Sequence, residues 1–247
     1  MKHRLVFALV LAAAALSLAS TAHAQSSALD YRWSVDVGIG WDNGISGNIN
    51  SGGIGKINDQ AVVVLPNSYE KVYGTGFHLR FGGGYLIDDV TEVRAMFTYQ
   101  SLKADLTTMG DIGTSKLYGQ YDPYETFGLD AAFRRYVDVG KDFRAYAEAT
   151  VGLGFISETD VTLVAPTTNL AAHATDFYDR TAAFSLGGNA GVLWQVSPRV
   201  GVYGQLGLRW MSGMSAVDGL AGTGLETIND NSSRWTMPIV FGVRARF

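Results

Sequence analysis

The final thirteen residues, Trp235 to Phe247 (WTMPIVFGVRARF), restrict the fold more than any other stretch. Trp235, Met237, Ile239, Phe241, Val243, Ala245 and Phe247 fall on one parity, and Thr236, Gly242, Arg244 and Arg246 on the other. That two-residue period belongs to a β-strand with one apolar and one polar face. The apolar face reaches the last residue, and a tilted strand needs roughly 9–11 residues to cross a bilayer. The pattern predicts the closing strand of a transmembrane β-barrel.

The other end reads differently. Lys2 and Arg4 precede an apolar run from Leu5 to about Ala19, followed by Ala22-His23-Ala24, a small-x-small cleavage pattern. Residues 1–24 are therefore expected to be a secretory signal peptide, with a single barrel domain over 25–247. Losing two of 19 basic residues, against 23 acidic ones, leaves the mature chain at −6, a balance that gives no reason to expect nucleic acid as a partner. No later apolar run approaches 18 residues, so any crossing of a membrane has to be made by strands. The chain has no cysteine, which excludes disulfides and thiolate metal sites, and no cofactor is expected. Its 30 glycines suit a crowded lumen, and its 12 Phe, 5 Trp and 12 Tyr suit membrane-interface girdles.

Eight alternating segments can be laid out: Tyr31 to Asp42, Lys71 to Leu86, Thr91 to Ser101, Glu125 to Val137, Phe143 to Ile156, Thr181 to Val196, Val200 to Met211, and the closing strand. The fifth is the most regular, with Phe143, Ala145, Ala147, Ala149, Val151, Leu153 and Phe155 opposing Arg144, Tyr146, Glu148, Thr150, Gly152 and Gly154. Leu193 breaks the pattern of the sixth, and Pro238 is a difficulty in the eighth, because a proline costs a ladder hydrogen bond. Connections alternate between short ones near 87–90, 138–142 and 197–199 and long ones over 43–70, 102–124, 157–180 and 212–234. The fold expected is all-β: an eight-stranded antiparallel up-and-down transmembrane barrel with short periplasmic turns, four long external loops and both termini periplasmic. A soluble barrel with the same apolar face turned inward is the alternative. Bulky aromatics on one face and glycine on the other favour lipid outside and a narrow lumen inside. Girdles are expected at Trp41, Tyr73, Tyr99, Phe155, Trp210 and Trp235 on the outer side, and at Trp33, Tyr85, Phe143, Trp194 and Phe247 on the inner.

Inward parity collects Arg32, Asp36, His78, Arg80, Glu92, Arg94, Asp130, Arg134, Arg144, Glu148, Arg209 and Arg244. An eight-stranded interior is only just wide enough for side chains, so these groups are expected to form an interlocked ionic network that plugs the tube. A narrow pore slightly favouring anions is the sharper reading of the same residues. His78 is the only lumenal histidine, and no Ser-His-acid spacing accompanies it, so no catalytic or metal-binding residue is assigned. The long loops are rich in Gly, Ser and Asn, as in SGNINSGGIG at 46–55, which suits solvated, mobile segments. Their short apolar groups, Leu106 to Met109 and Val161 to Ala165, leave a ligand-binding or adhesive role open.

The signal peptide, the eight segments, SPRVGVYGQLGLRW at 197–210 and FGVRARF at 241–247 together resemble the small OmpA-like and opacity-like outer-membrane barrels of Gram-negative bacteria. The resemblance covers essentially the whole mature chain as a pattern. It implies a monomer in contact with outer-membrane lipid and lipopolysaccharide. It also implies recognition of Phe247, with Phe241 and Val243, by the barrel assembly machinery, and surface loops able to meet a host partner. Members serve envelope integrity, adhesion or immune evasion. No peptidoglycan-binding domain of the kind some members carry is expected, and the arginine-rich inner face differs from the apolar lumens of OmpW-like barrels. Lipid A deacylase-type barrels carry a His-x-Ser pair where this chain has His78-Leu79-Arg80, which speaks against a lipid hydrolase.

Overall fold

The computed structural model describes residues 31–167, 170–229 and 232–247, without the side chains of 170–176. The expected signal peptide lies outside the described residues, as does the side chain of His173. Among the described residues, sixteen strands and one short helix follow in order: β1 (Trp33–Ser46), β2 (Asn48–Asn50), β3 (Gly53–Ile57), β4 (Gln60–Val64), β5 (Asn67–Ser68), α1 (Tyr69–Tyr73), β6 (Thr75–Leu86), β7 (Thr91–Leu102), β8 (Thr107–Ile112), β9 (Ser115–Tyr121), β10 (Tyr124–Asp138), β11 (Phe143–Ile156), β12 (Thr159–Ala165), β13 (Leu170–Tyr178), β14 (Thr181–Gln195), β15 (Val200–Met211) and β16 (Arg234–Arg246).

Eight of these strands close into an antiparallel barrel in the order β1-β16-β15-β14-β11-β10-β7-β6. Closure is made by β1 on β16, from Ser34↔Arg246 to Ser46↔Trp235, and is extended by reciprocal backbone bonds between Trp33 and Phe247. Alternation then sorts the side chains. Ile39, Trp41, Phe81, Phe97, Phe127, Phe133, Leu186 and Phe241 are exposed on the outside, while Asp36, Arg80, Glu92, Arg134, Glu148 and Arg244 are buried within. An exposed apolar band around a wall with no free edge is the arrangement that hydrocarbon requires. Aromatic pairs sit toward its two rims, with Trp33 against Tyr85 at 4.9 Å, Phe143 against Trp194 at 6.1 Å, and Tyr99 against Phe127 at 4.9 Å.

Tyr73 does not join the girdle. The stretch read as the start of the second strand is instead α1, whose Ser68 side chain accepts from Lys71 N–H and whose Gly74, at φ +57°, donates to Glu70 O at 3.0 Å. A hydroxyl cap before the helix and a left-handed glycine after it are local start and stop signals that outrank alternation here. The helix turns Tyr69, Val72 and Tyr73 inward, where all three are buried.

The long loops are not loose. Strands β13-β12-β9-β8-β4-β3 form a second, six-stranded sheet at the loop end of the barrel. Its order follows that of the barrel strands β14, β11, β10, β7, β6 and β1, so the wall continues upward over six of its eight staves. Residues 212–229 occupy the sector above β15 and β16. They bond to one edge through Ser51 N–H on Ile228 O and Lys56 N–H on Thr223 O, and to the other through Asp179 N–H on Ser215 O. A core of Ile49, Val62, Val72, Met109, Leu117, Tyr121, Val161, Phe177, Leu225, Ile228 and their neighbours fills this upper part.

Pro238 has a local solution. On the β1 side the register runs unbroken through Asp42↔Pro238 and Asn43↔Met237, whereas the β15 side passes from Leu206↔Ile239 to Arg209↔Thr236 without pairing Gly207 or Leu208. The lost pairing is confined to one seam. Gly207 lies between the proline ring and Asn189: a Cβ there would come to 3.0 Å from Pro238 Cγ and closer still to Asn189 Oδ1. Leu193, the exception in β14, is buried with Leu86, Tyr136, Tyr146, Tyr203 and Val240 in an apolar layer inside the barrel.

Leu186 is exposed in the apolar band, between Val151 and Trp210 in register. Leu186→Arg places a guanidinium there and should lower stability in lipid by about 2–4 kcal/mol. Urea titration of folding into vesicles measures the difference, and an unchanged midpoint would mean that this face does not meet lipid.

Candidate functional site

Every inward position of the barrel strands points at the same narrow axis, so charges from distant parts of the chain meet there. Glu148 of β11 is the hub. Its carboxylate accepts from Arg80 Nη2 at 2.8 Å, Arg94 Nη1 at 2.8 Å, Arg134 Nε at 2.9 Å and Asn189 Nδ2 at 2.9 Å. Glu92 of β7 accepts from Ser34 Oγ at 2.7 Å and Tyr136 OH at 2.7 Å, and is ion-paired with Arg244. Asp36 of β1 pairs with Arg94 and accepts from Tyr203 OH at 3.2 Å. The four arginines 80, 94, 134 and 244 thus share the three carboxylates 36, 92 and 148, and Arg134 and Arg244 are each only 1% exposed. Buried charges of this kind persist where each finds partners of opposite sign and good geometry. Space comes from glycine: the Tyr203 ring lies over Gly38 and Gly242, where a Cβ would approach its hydroxyl end to 2.5 Å.

Toward the loop end, Asp130 accepts from Arg209 Nη2 at 3.1 Å and Ser185 Oγ at 3.2 Å. Between this group and the hub lies a cavity of about 30 Å³ bordered by His78, Arg80, Asp130, Gln205, Arg209 and Pro238. That is room for very few waters. His78 is buried, with Nδ1 3.7 Å from Asp42 Oδ2 and no hydrogen-bond partner for that nitrogen among the described residues. Asp42 is held by Gln100, whose own oxygen accepts from Arg234 at 2.7 Å. The Arg234 guanidinium lies 3.9 Å from the Tyr124 ring centroid and 5.3 Å from that of Tyr69. Above it the aromatic layer begins. Burial pushes the hydroxyls of Tyr69, Tyr73 and Tyr121 well above the ordinary phenol range, so they remain neutral donors, to Ser232 O, Asp122 O and Asn50 Oδ1.

One of the residues assigned to the interior, Arg32, lies elsewhere, and another, Arg144, lies at its mouth. Arg32 is exposed: it precedes β1, and its carbonyl accepts from Leu86 N–H. Arg144 sits at the turn end, bonded through Nε to Asp138 at 2.7 Å and stacked 4.5 Å from the Tyr136 ring. Alternation assigns parity but does not mark where the lumen stops, so Arg32 has inward parity without reaching the interior, while Arg144 closes its turn end. Conversely, the uncharged Ser34, Gln100, Tyr136, Asn189 and Tyr203 carry bonds that an inventory of charges passes over, and Asp42 and Arg234 are charged groups outside the expected set. Each has the inward parity of its strand, which is the signal that would have found them. Among the described residues there is no group of three or more His, Asp or Glu placed to hold a metal ion.

No protein-family model and no curated protein matches the chain. Solved structures do match. Neisserial surface protein A is 15% identical, covering 87% of this chain and 97% of its own, with a TM-score of 0.44. A major outer membrane protein from Thermus thermophilus is 16% identical, covering 87% and 99%, with a TM-score of 0.48. Ail of Yersinia pestis, solved with the heparin analogue sucrose octasulfate, is 10% identical, covering 87% and 99%, with a TM-score of 0.38. The chain is a closed eight-stranded barrel that resembles small outer-membrane barrels.

Glu148→Gln removes the charge shared by Arg80, Arg94 and Arg134, and should cost about 3–5 kcal/mol, the penalty of leaving buried charge uncompensated. Asp138→Asn, which removes the exposed partner of Arg144, should cost less than about 1 kcal/mol. Urea midpoints for the two variants in the same vesicles test the ranking, and equal midpoints would remove Glu148 from the centre of the network.

Proposed function

We propose that the protein is a structural, surface-exposed barrel of the outer membrane, with its lumen closed and its termini on the periplasmic side. The observation that carries this reading is the filling of the axis. The ionic network and the apolar layer with Leu193 occupy one half, the aromatic core occupies the other, and the cavity of about 30 Å³ lies within the polar part, between the Glu148 hub and the Asp130 group. A hydrated ion needs a continuous path, and three different materials lie across it. The exposed band supports contact with outer-membrane lipid and lipopolysaccharide. Phe241 and Phe247, exposed on the closing stretch with Val243 between them in the same parity, fit recognition by an assembly machinery. A monomer suffices, because the closed wall leaves no strand edge to pair.

A second reading is favoured by the upper sheet. Ile54, 76% exposed, is paired in register with exposed Val63, and Leu65 and Leu106 are also exposed on this part of the chain. Apolar side chains held on a rigid, polar-rimmed sheet suit contact with a ligand or host surface.

The closed-lumen reading predicts silence in planar bilayers from refolded protein whose insertion has been verified. Steady unitary currents that change with Arg80→Gln or Arg134→Gln would replace it with a narrow pore. The contact reading predicts that Ile54→Ser with Val63→Ser abolishes surface binding while the barrel still folds, and binding that survives the pair would remove this face from consideration.

A further inference from the structure

The turn end of the lumen holds guanidinium groups whose N–H donors the network does not use up. Arg244 is buried, and its two Nη groups are committed to Tyr136, Glu92 and Ser34, yet its Nε has no hydrogen-bond partner among the described residues. Arg246, two residues on and on the same face, has a buried Nη2 that is likewise without a partner among the described residues. The β14–β15 turn brings up a third guanidinium. Arg199 O accepts from Arg246 N–H at 2.8 Å, which ties turn and strand together, and Arg199 Nη2 donates to Tyr31 OH at 2.8 Å while the guanidinium rests 4.9 Å from that ring. Arg199, Arg244 and Arg246 line one pocket with Gln195, Ser197 and Leu193, and no carboxylate among the described residues borders it. Two acids at this end of the barrel are already engaged, Asp138 by Arg144 and Glu92 by Arg244.

We propose that this pocket binds an oxyanion of the phosphate class. An N–H withdrawn from water without an acceptor is unfavourable, and the half-buried Arg199 and Arg246 beside the Glu92-paired Arg244 add mutual repulsion. An anion with several oxygens can accept from Arg244 Nε, from Arg246 Nη2 and from the uncommitted N–H groups of Arg199 together. Chloride carries less charge than phosphate and offers no pair of oxygens for a guanidinium fork, so it is the weaker occupant. The tetrahedral phosphate group can come from free phosphate or from a phospholipid headgroup at this interface, and the chemistry of recognition is the same.

The test uses the full mature chain refolded in a phosphate-free maltoside detergent. Sodium phosphate is titrated against sodium chloride at matched ionic strength, with binding followed by calorimetry and by the thermal midpoint. Wild-type protein should show a saturable, phosphate-specific response, and Arg246→Gln and Arg199→Gln should each bind phosphate roughly tenfold more weakly, the loss expected from one charge-assisted contact. Arg199→Gln, in the turn, keeps the comparison available if Arg246→Gln does not refold. A response that follows ionic strength alone, or one equal in wild type and variants, overturns the proposal. In a second arm, displacement of bound phosphate by water-soluble short-chain phosphatidylglycerol assigns the site to a lipid headgroup, and failure to displace it assigns the site to the free anion.

Discussion

The wall has no edge, and the rest of the molecule answers to that condition. Backbone N–H and C=O groups cannot be left unpaired in hydrocarbon, so β1 must find β16 across almost the whole length of the chain. Closure fixes the parity of every strand, and parity decides which side chains meet lipid and which meet one another. It also fixes the bore. With eight strands the interior is so narrow that the inward side chains must be mutually compatible in volume and in charge. The three carboxylates of the central network gain their partners only because strands far apart in sequence are brought round to face a common axis.

The interior is built in layers of different character. The ionic layer around Glu148 specifies which strand faces which, since a shift of register by one residue would turn Arg80, Arg94 and Arg134 toward lipid. The apolar layer with Leu193, Tyr136 and Tyr203 lies beside it and supplies the hydroxyl donors that complete Glu92 and Asp36. Polar and apolar groups are therefore complementary here: the aromatic rings fill volume while their hydroxyls satisfy carboxylates.

Much of the barrel was legible in the sequence, because alternation is a property of each strand taken singly. The segments from Thr91, Phe143, Thr181 and Val200 begin where β7, β11, β14 and β15 begin. What failed to show was whatever depends on two or more segments at once, or on a local signal that competes with alternation. Tyr73 matches the alternation of its neighbours, and only the cap at Ser68 and the left-handed Gly74 reveal a helix. Gly207 reads as an ordinary lumenal glycine until Pro238 is seen against it. Loops rich in Gly, Ser and Asn suggest solvated chain, yet their apolar residues alternate over stretches too short to stand out. Val161, Leu163 and Ala165 are such a case, and they gain a core only when six strands assemble. Arg32 is the opposite case, since its parity points to a lumen that ends before it reaches that residue.

The upper sheet covers six staves, and the two it omits are β15 and β16. The same two strands lose their mutual pairing beside Pro238, and the cavity in the lumen borders that interruption. From mid-membrane to the tip, one longitudinal sector therefore has fewer cross-strand bonds than the rest, completed at the top by the turns of 212–229 instead of by a ladder. Compliance in such a cylinder is anisotropic. With fewer backbone bonds to hold it, this line is where the wall resists bending least.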